Sequence, residues 1–162
     1  MPRLPLPAAL LTLVAVALAY SANDVPVPSS CTPDVNAKLA SLISSGSHGN
    51  VDNVMVCGIT VSPSRPQRGG PHGTHEILPI TVVFPNKSSR LIEVVTNDSL
   101  DGVVTAPVKA SVFAYGQAFF SNTGRFAAGI HDVHCSTHNG ADNGWVVVNG
   151  NKHPEGVCST HR

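Results

Sequence analysis

From residue 46 onward the apolar positions come in short β-branched runs. VMVCGITV (54–61), EILPITVVF (76–84), RLIEVV (90–95), VKASVFAY (108–115) and GWVVVNG (144–150) are divided by clusters of Gly, Pro, Asn and Ser. Runs of this length between turn formers predict an antiparallel β domain. Pro79 removes a backbone donor from the second run, which places that strand at an edge or a bulge. PNKSS, ahead of Arg90, reads as the loop of a hairpin joining neighbouring strands. The stretch SPSRPQRGGPHG (62–73) reads as a long flexible loop.

Before the strands the period changes. Thr32 offers an N-cap oxygen, Pro33 suits the first helical position, and Val35, Leu39, Leu42 and Ile43 recur at helical spacing up to Gly46. The pattern predicts one amphipathic helix over about 32–45, with its stripe laid on a face or edge of the sheet. The expected fold is therefore mainly β: an antiparallel β-sandwich-like domain with one N-terminal amphipathic helix and two disulfides.

The first residues have a different character. One cation at Arg3, an apolar run over 4–19 and the small residues Ala17 and Ala19 read as a secretory signal peptide, cut near Ala19 or Ala22. The run is interrupted by proline and is shorter than the ~20 apolar residues a bilayer span requires. No later stretch is long and apolar enough to cross a membrane. The expected organisation is a signal peptide at 1–19, a leader at 20–30 and a single β-rich domain at 31–162, secreted and extracellular. Export gives the cysteines a meaning, because an even count in an oxidising compartment signals disulfides. Four cysteines allow three pairings, between which sequence does not choose; the favoured one, Cys31 with Cys57 and Cys135 with Cys158, closes two local loops of about 25 residues, for ~3 kcal/mol apiece, and the sharper alternative makes Cys135 a metal thiolate. Asn86-Lys87-Ser88 and Asn97-Asp98-Ser99 satisfy the N-glycosylation rule in polar turns.

Lysine plus arginine and aspartate plus glutamate both number 10. A neutral chain lacks the basic footprint of a dedicated nucleic-acid binder. Candidate chemistry lies instead in two histidine clusters. HGTHE supplies His72, His75 and Glu76; GIHDVHCSTHNGADNGW (129–145) supplies His131, Asp132, His134, Cys135, His138, Asp142 and Asn143. Imidazole and carboxylate are common ligands of zinc and similar divalent metals, and imidazole titrates near neutrality. If 130–135 is a strand, alternation puts His131 on one face and Asp132 and His134 on the other. A metal site then needs Asp132 and His134 joined by His72 or His75. Neither HExxH nor paired CxxC knuckles occur, and Asp or His beside glycine also serve simply to brace a turn.

Gly129-Ile130-His131-Asp132-Val133-His134 followed by Asp142-Asn143-Gly144-Trp145 resembles the GxHDIH and DNGxW elements of the YukJ-like conserved proteins, with THEILPITV and Ala114-Tyr115-Gly116 in compatible order before it. The likeness covers the last 90 residues or so. Departures are Cys135-Ser136-Thr137-His138 in place of Met-Asn-Gln, and Val146-Val147-Val148-Asn149-Gly150 in place of Gln-Asp-Gly. The resemblance implies a shared β-rich scaffold with a polar His-Asp apex and no assigned activity. His131, Asp132, His134, Asp142 and Asn143 are its candidate ligand-binding residues.

The leading expectation is a secreted binding protein whose apex contacts an extracellular ligand or a divalent metal. One alternative is a secreted metal-dependent hydrolase, with Asp132 and His134 plus His72 or His75 holding the ion and Glu76 or a histidine moving the proton. The other is a small metal-free ribonuclease using two histidines, Glu76 and Arg90 or Arg125.

Overall fold

The structure is a computed structural model that describes residues 24–69, 73–120, 124–137, 141–156 and 158. The expected signal peptide, His72 and His138 lie outside the described residues. The strands are β1 (Val51–Thr60), β2 (Arg65–Gly69), β3 (Gly73–Val83), β4 (Ser89–Asn97), β5 (Ser111–Phe119), β6 (Gly129–His131), β7 (Trp145–Val148) and β8 (Asn151–His153). All eight belong to one sheet. β1 hydrogen-bonds to both β3 and β5, so the path β1-β3-β4-β6-β5 returns to its start and closes a ring. β2 adds to β3, while β7 and β8 extend from β5. The expected mainly β fold is present, and its facing layers are opposite walls of this curled sheet. Of the strand pairings described, only β4 with β6 is parallel.

Strand alternation fills the ring. Even-numbered Val54, Val56, Leu78, Ile80, Val82, Ile92, Val94, Val112, Ala114, Ile130 and Val146 are all 0% exposed. Each large side chain among them contributes ~1.5–3 kcal/mol by leaving water. On the outward face Tyr115, Trp145 and Val147 form a second apolar cluster with Val25 packed against it, and Trp145 Nε1 donates to the Val25 carbonyl at 2.8 Å. Residues of the expected leader thus lie on the sheet itself.

Pro79 sits where an edge of β3 changes partner. Below it, Thr81 and Ile80 pair with Ile59 and Thr60 of β1; above it, residues up to Ile77 pair with β2. The Pro79 carbonyl accepts from Val61 on this same side, at 3.0 Å. The missing donor therefore falls in the gap between two partners. The stretch 62–73 corrects the flexible-loop expectation. Residues Arg65–Gly69 form β2 in a hairpin with β3, because β1 leaves the upper edge of β3 without partners and bare backbone groups favour pairing.

The helix begins as a 3₁₀ turn, Pro33–Asn36, and continues as α1, Ala37–Ser44. Thr32 occupies the N-cap position without a side-chain capping bond. Leu39 enters the core and Leu42 and Ile43 pack against it. Asn36, 1% exposed, works as a substitute strand. Its amide nitrogen donates to the Cys57 and Val83 carbonyls, both at 3.0 Å, and its oxygen accepts from the Cys57 N–H at 2.7 Å. It spans β1 and β3 where their own pairing is short, beside the Cys31–Cys57 disulfide.

Candidate functional site

The site lies where one edge of β5 is divided between two partners. β7 covers Val112 to Tyr115 and β6 covers Gln117 to Phe119, leaving Gly116 at the break. The chain leaving β6 turns through Asp132, at φ 52°, and passes directly over this break. A Cβ on Gly116 would sit 2.3 Å from the His131 carbonyl oxygen, and one on Gly144 would sit 2.2 Å from that of Asp132. Both positions require glycine by contact. The left-handed Asp132 costs roughly 1 kcal/mol, a conformation Asp and Asn tolerate better than most residues. The Gly144 N–H donates to the His134 carbonyl at 2.8 Å and closes the turn.

This kink overturns the alternation expected for 130–135. His131 Nδ1 and His134 Nε2 come to 3.5 and 3.6 Å from the same oxygen of Asp132. The two imidazoles are held differently. The Gln117 amide nitrogen donates to Asp52 at 2.5 Å, so its oxygen is left to accept from His131 Nε2 at 2.9 Å. His131 Nε2 therefore carries a proton, and Nδ1 faces Asp132. Burial pushes the His131 pKa down, against the opposing pull of Asp132. His134 donates from Nδ1 to the Cys135 carbonyl at 2.9 Å, and the Asp132 carboxylate raises its pKa in spite of burial.

The two sequence clusters meet. His75, opposite Asn97 on β4, lines a cleft of about 90 Å³ with Val95, Asn97, His131, Asp132 and His134. Glu76 does not join it. One residue along the strand, it turns to the interior, 6% exposed and opposite buried Thr96, with its pKa raised by burial and then by Asp98. This removes Glu76 as the proton carrier of a site at His75. Cys135 is bonded to Cys158 and no cysteine is free, so the thiolate-ligand alternative is also set aside. Among the described residues no three His, Cys, Asp or Glu side chains converge in metal-binding geometry. What exists is two separate pairs on Asp132, each spaced as two ligands of one ion with bonds of about 2.0–2.2 Å.

Asp142 and Asn143 brace the turn. Asp142 accepts from the Tyr115 hydroxyl at 2.6 Å, and its N–H donates to Asn53 at 3.0 Å. Burial, and then Asp142 itself, push the Tyr115 phenol pKa well up. Asn143 accepts from the Ser136 N–H at 3.0 Å and donates to Asp24 at 2.9 Å. Asp142 also lines, with Asp52, Gln117 and Asp132, an adjoining depression of about 20 Å³, large enough for a water and little else.

Sequence reasoning missed Asp52 and Gln117, which reach the site from β1 and β5, and Asp101, whose charge acts on His134. Asp101 ends the short helix α2 (Asp98–Asp101) and is 4% exposed. One of its oxygens accepts from the Asn97 N–H at 2.6 Å, and the other has no hydrogen-bond partner. Burial pushes its pKa to about 6. Asn97 caps this helix by accepting from the Ser99 N–H at 2.9 Å. Asn97, a glycosylation candidate, is thus engaged in a cap and lines the cleft; Asn86 is exposed in the β3–β4 hairpin loop. Compared with family models, curated proteins and solved structures, the chain finds no match.

Proposed function

We propose that this is a secreted, disulfide-stapled β protein that acts by binding an extracellular ligand in the cleft of His75, His131, Asp132 and His134. One observation carries the reading. The Asp132 kink brings imidazoles with independently fixed orientations around one carboxylate, and β3 supplies a third imidazole from across the cleft. Donors and acceptors held in place before a ligand arrives lower the cost of binding it. Pairing of all four cysteines supports export, and Asn86 is the better placed of the two proposed glycosylation sites. The His-Asp turn and its Asn143 brace are the features that a distant kinship with YukJ-like proteins would preserve. A divalent metal such as zinc is one ligand to test, since either Asp132 pair offers half a site.

A second reading rests on the opposite displacement of the two imidazoles. In that reading His131, whose pKa burial lowers, is the base and His134, whose pKa the Asp132 carboxylate raises, is the acid of a hydrolase.

Imidazole NMR resonances report on both. Titration with zinc, acetate, phosphate, glycerol and small amides is expected to shift His75, His131 and His134 while His48 and His153 stay put. Shifts confined to the latter, or none, would overturn the binding reading. RNA or ester cleavage in chelator that His131→Ala abolishes would favour the hydrolase.

A further inference from the structure

A second depression adjoins the cleft at His75. On the outward face of β3 and β4 lies a groove of about 330 Å³ lined by Gln67, His75, Ile77, Glu93, Val95 and Phe119; His75 and Val95 line both parts. Size separates their roles. The cleft, at about 90 Å³, holds only a few waters, whereas the groove reaches the range of small-molecule sites, ~300–1,000 Å³.

Its surface has a definite chemistry. The Phe119 ring lies across Gly129, where a Cβ would sit 2.0 Å from it, and meets His131 edge-on with ring centres 5.1 Å apart. Gly129 therefore seats an aromatic platform, with Ile77 and Val95 as apolar floor. Around it stand an amide, Gln67, and a carboxyl, Glu93; the cleft adds Asn97 and Asp132. Among the described residues no lysine or arginine lines either part. Burial raises the Glu93 pKa, and the charge of Arg65 acts against that rise. A polyanion would find no cationic partner in the lining beyond the histidines. A chain with C–H faces and many hydroxyls finds an aromatic face to lie on and acceptors at its edges.

We propose that groove and cleft together form an extended site for a neutral oligosaccharide, lying along β3 and β4 with one end at Asp132 and its histidines. This rests on the cleft being a binding site. The intact protein is titrated with cellohexaose, laminarihexaose and chitohexaose, and with hexagalacturonate and zinc as charged counterparts, read by calorimetry and imidazole NMR. At least one neutral hexasaccharide is expected to shift His75 and His131. Its affinity should fall about tenfold in Gln67→Ala, whose side chain is exposed and leaves the fold alone, and further in Phe119→Ala, while Phe119→Tyr retains it. Shifts with hexagalacturonate or zinc but no neutral sugar would overturn the ligand class and leave the cleft as a binding site. No shift with any would sink both, and sugar binding untouched by Gln67→Ala and Phe119→Ala would place the ligand elsewhere.

Discussion

Asp132 supplies both a backbone kink and a carboxylate, and substitution separates them. Asp132→Gly keeps the left-handed turn, whereas Asp132→Ala adds a strain cost of roughly 1 kcal/mol. Both remove the charge between the imidazoles, so both should bring the His134 pKa down. Its raised folded value means that His134 stabilises the fold below the unfolded pKa and loses that contribution as pH rises through the folded one. Denaturation at pH 5 and pH 8 should show this component in the wild type and not in either variant. Asp101 adds a slope of the same sign. Its folded pKa of about 6 lies above the ordinary 3.8, so the fold loses stability as pH rises between these values. Asp101→Asn should remove that slope and raise stability at pH 7.5 by about 1–2 kcal/mol, as read from urea midpoints. A drop at pH 7.5 would mean that the carboxylate has a further partner there besides the Asn97 N–H.

At the scale of elements, contact geometry makes sharp predictions. Gly116→Ala and Gly144→Ala drive a methyl into backbone carbonyls and should each cost ~3 kcal/mol or more, or prevent folding. Gly46→Ala, with open space around it, should pay only the strain of its positive φ. Asn36→Ala leaves the Cys57 and Val83 backbone groups without partners and should cost ~2–4 kcal/mol. Hydrogen exchange should then speed up at Cys57 first. The long strands and the helix were legible because periods of two and 3.6 are written locally. β2 was not, since its Pro, Arg and Gly content reads as loop and only the unfilled edge of β3 makes it a strand. The histidine clusters were legible as chemistry, and the joining of Asp132 and His134 with a histidine of the first cluster was among the expectations, but the place of His131 beside them was not. Alternation correctly separates His75 from Glu76, yet it fails at Asp132, where the kink follows from Gly116 and Gly144, 16 residues before and 12 after. Asp52 and Gln117 carry no mark at all; only the pairing of β1 with β5 brings them beside β6.

For the molecule as a whole, peptide mapping without reduction should recover the Cys31–Cys57 and Cys135–Cys158 bridges. Replacing the second pair by serine should cost ~3 kcal/mol and weaken the Ser136–Asn143 hydrogen bond before it affects α1. The closed ring has a further consequence for how the protein is made. Its last staves, β5 and β6, come from residues 111–131, and β6 must slot between β4 and β5 to seal it. During synthesis β1 and β4 therefore wait with bare edges, a state prone to self-association. A nascent chain arrested before residue 111 should be retained by chaperones, and one extended past 148 released. Assembly order, set by where β6 falls in the gene, makes the stretch bearing His131 and Asp132 the latch of the barrel, so damage there should appear first as lost yield.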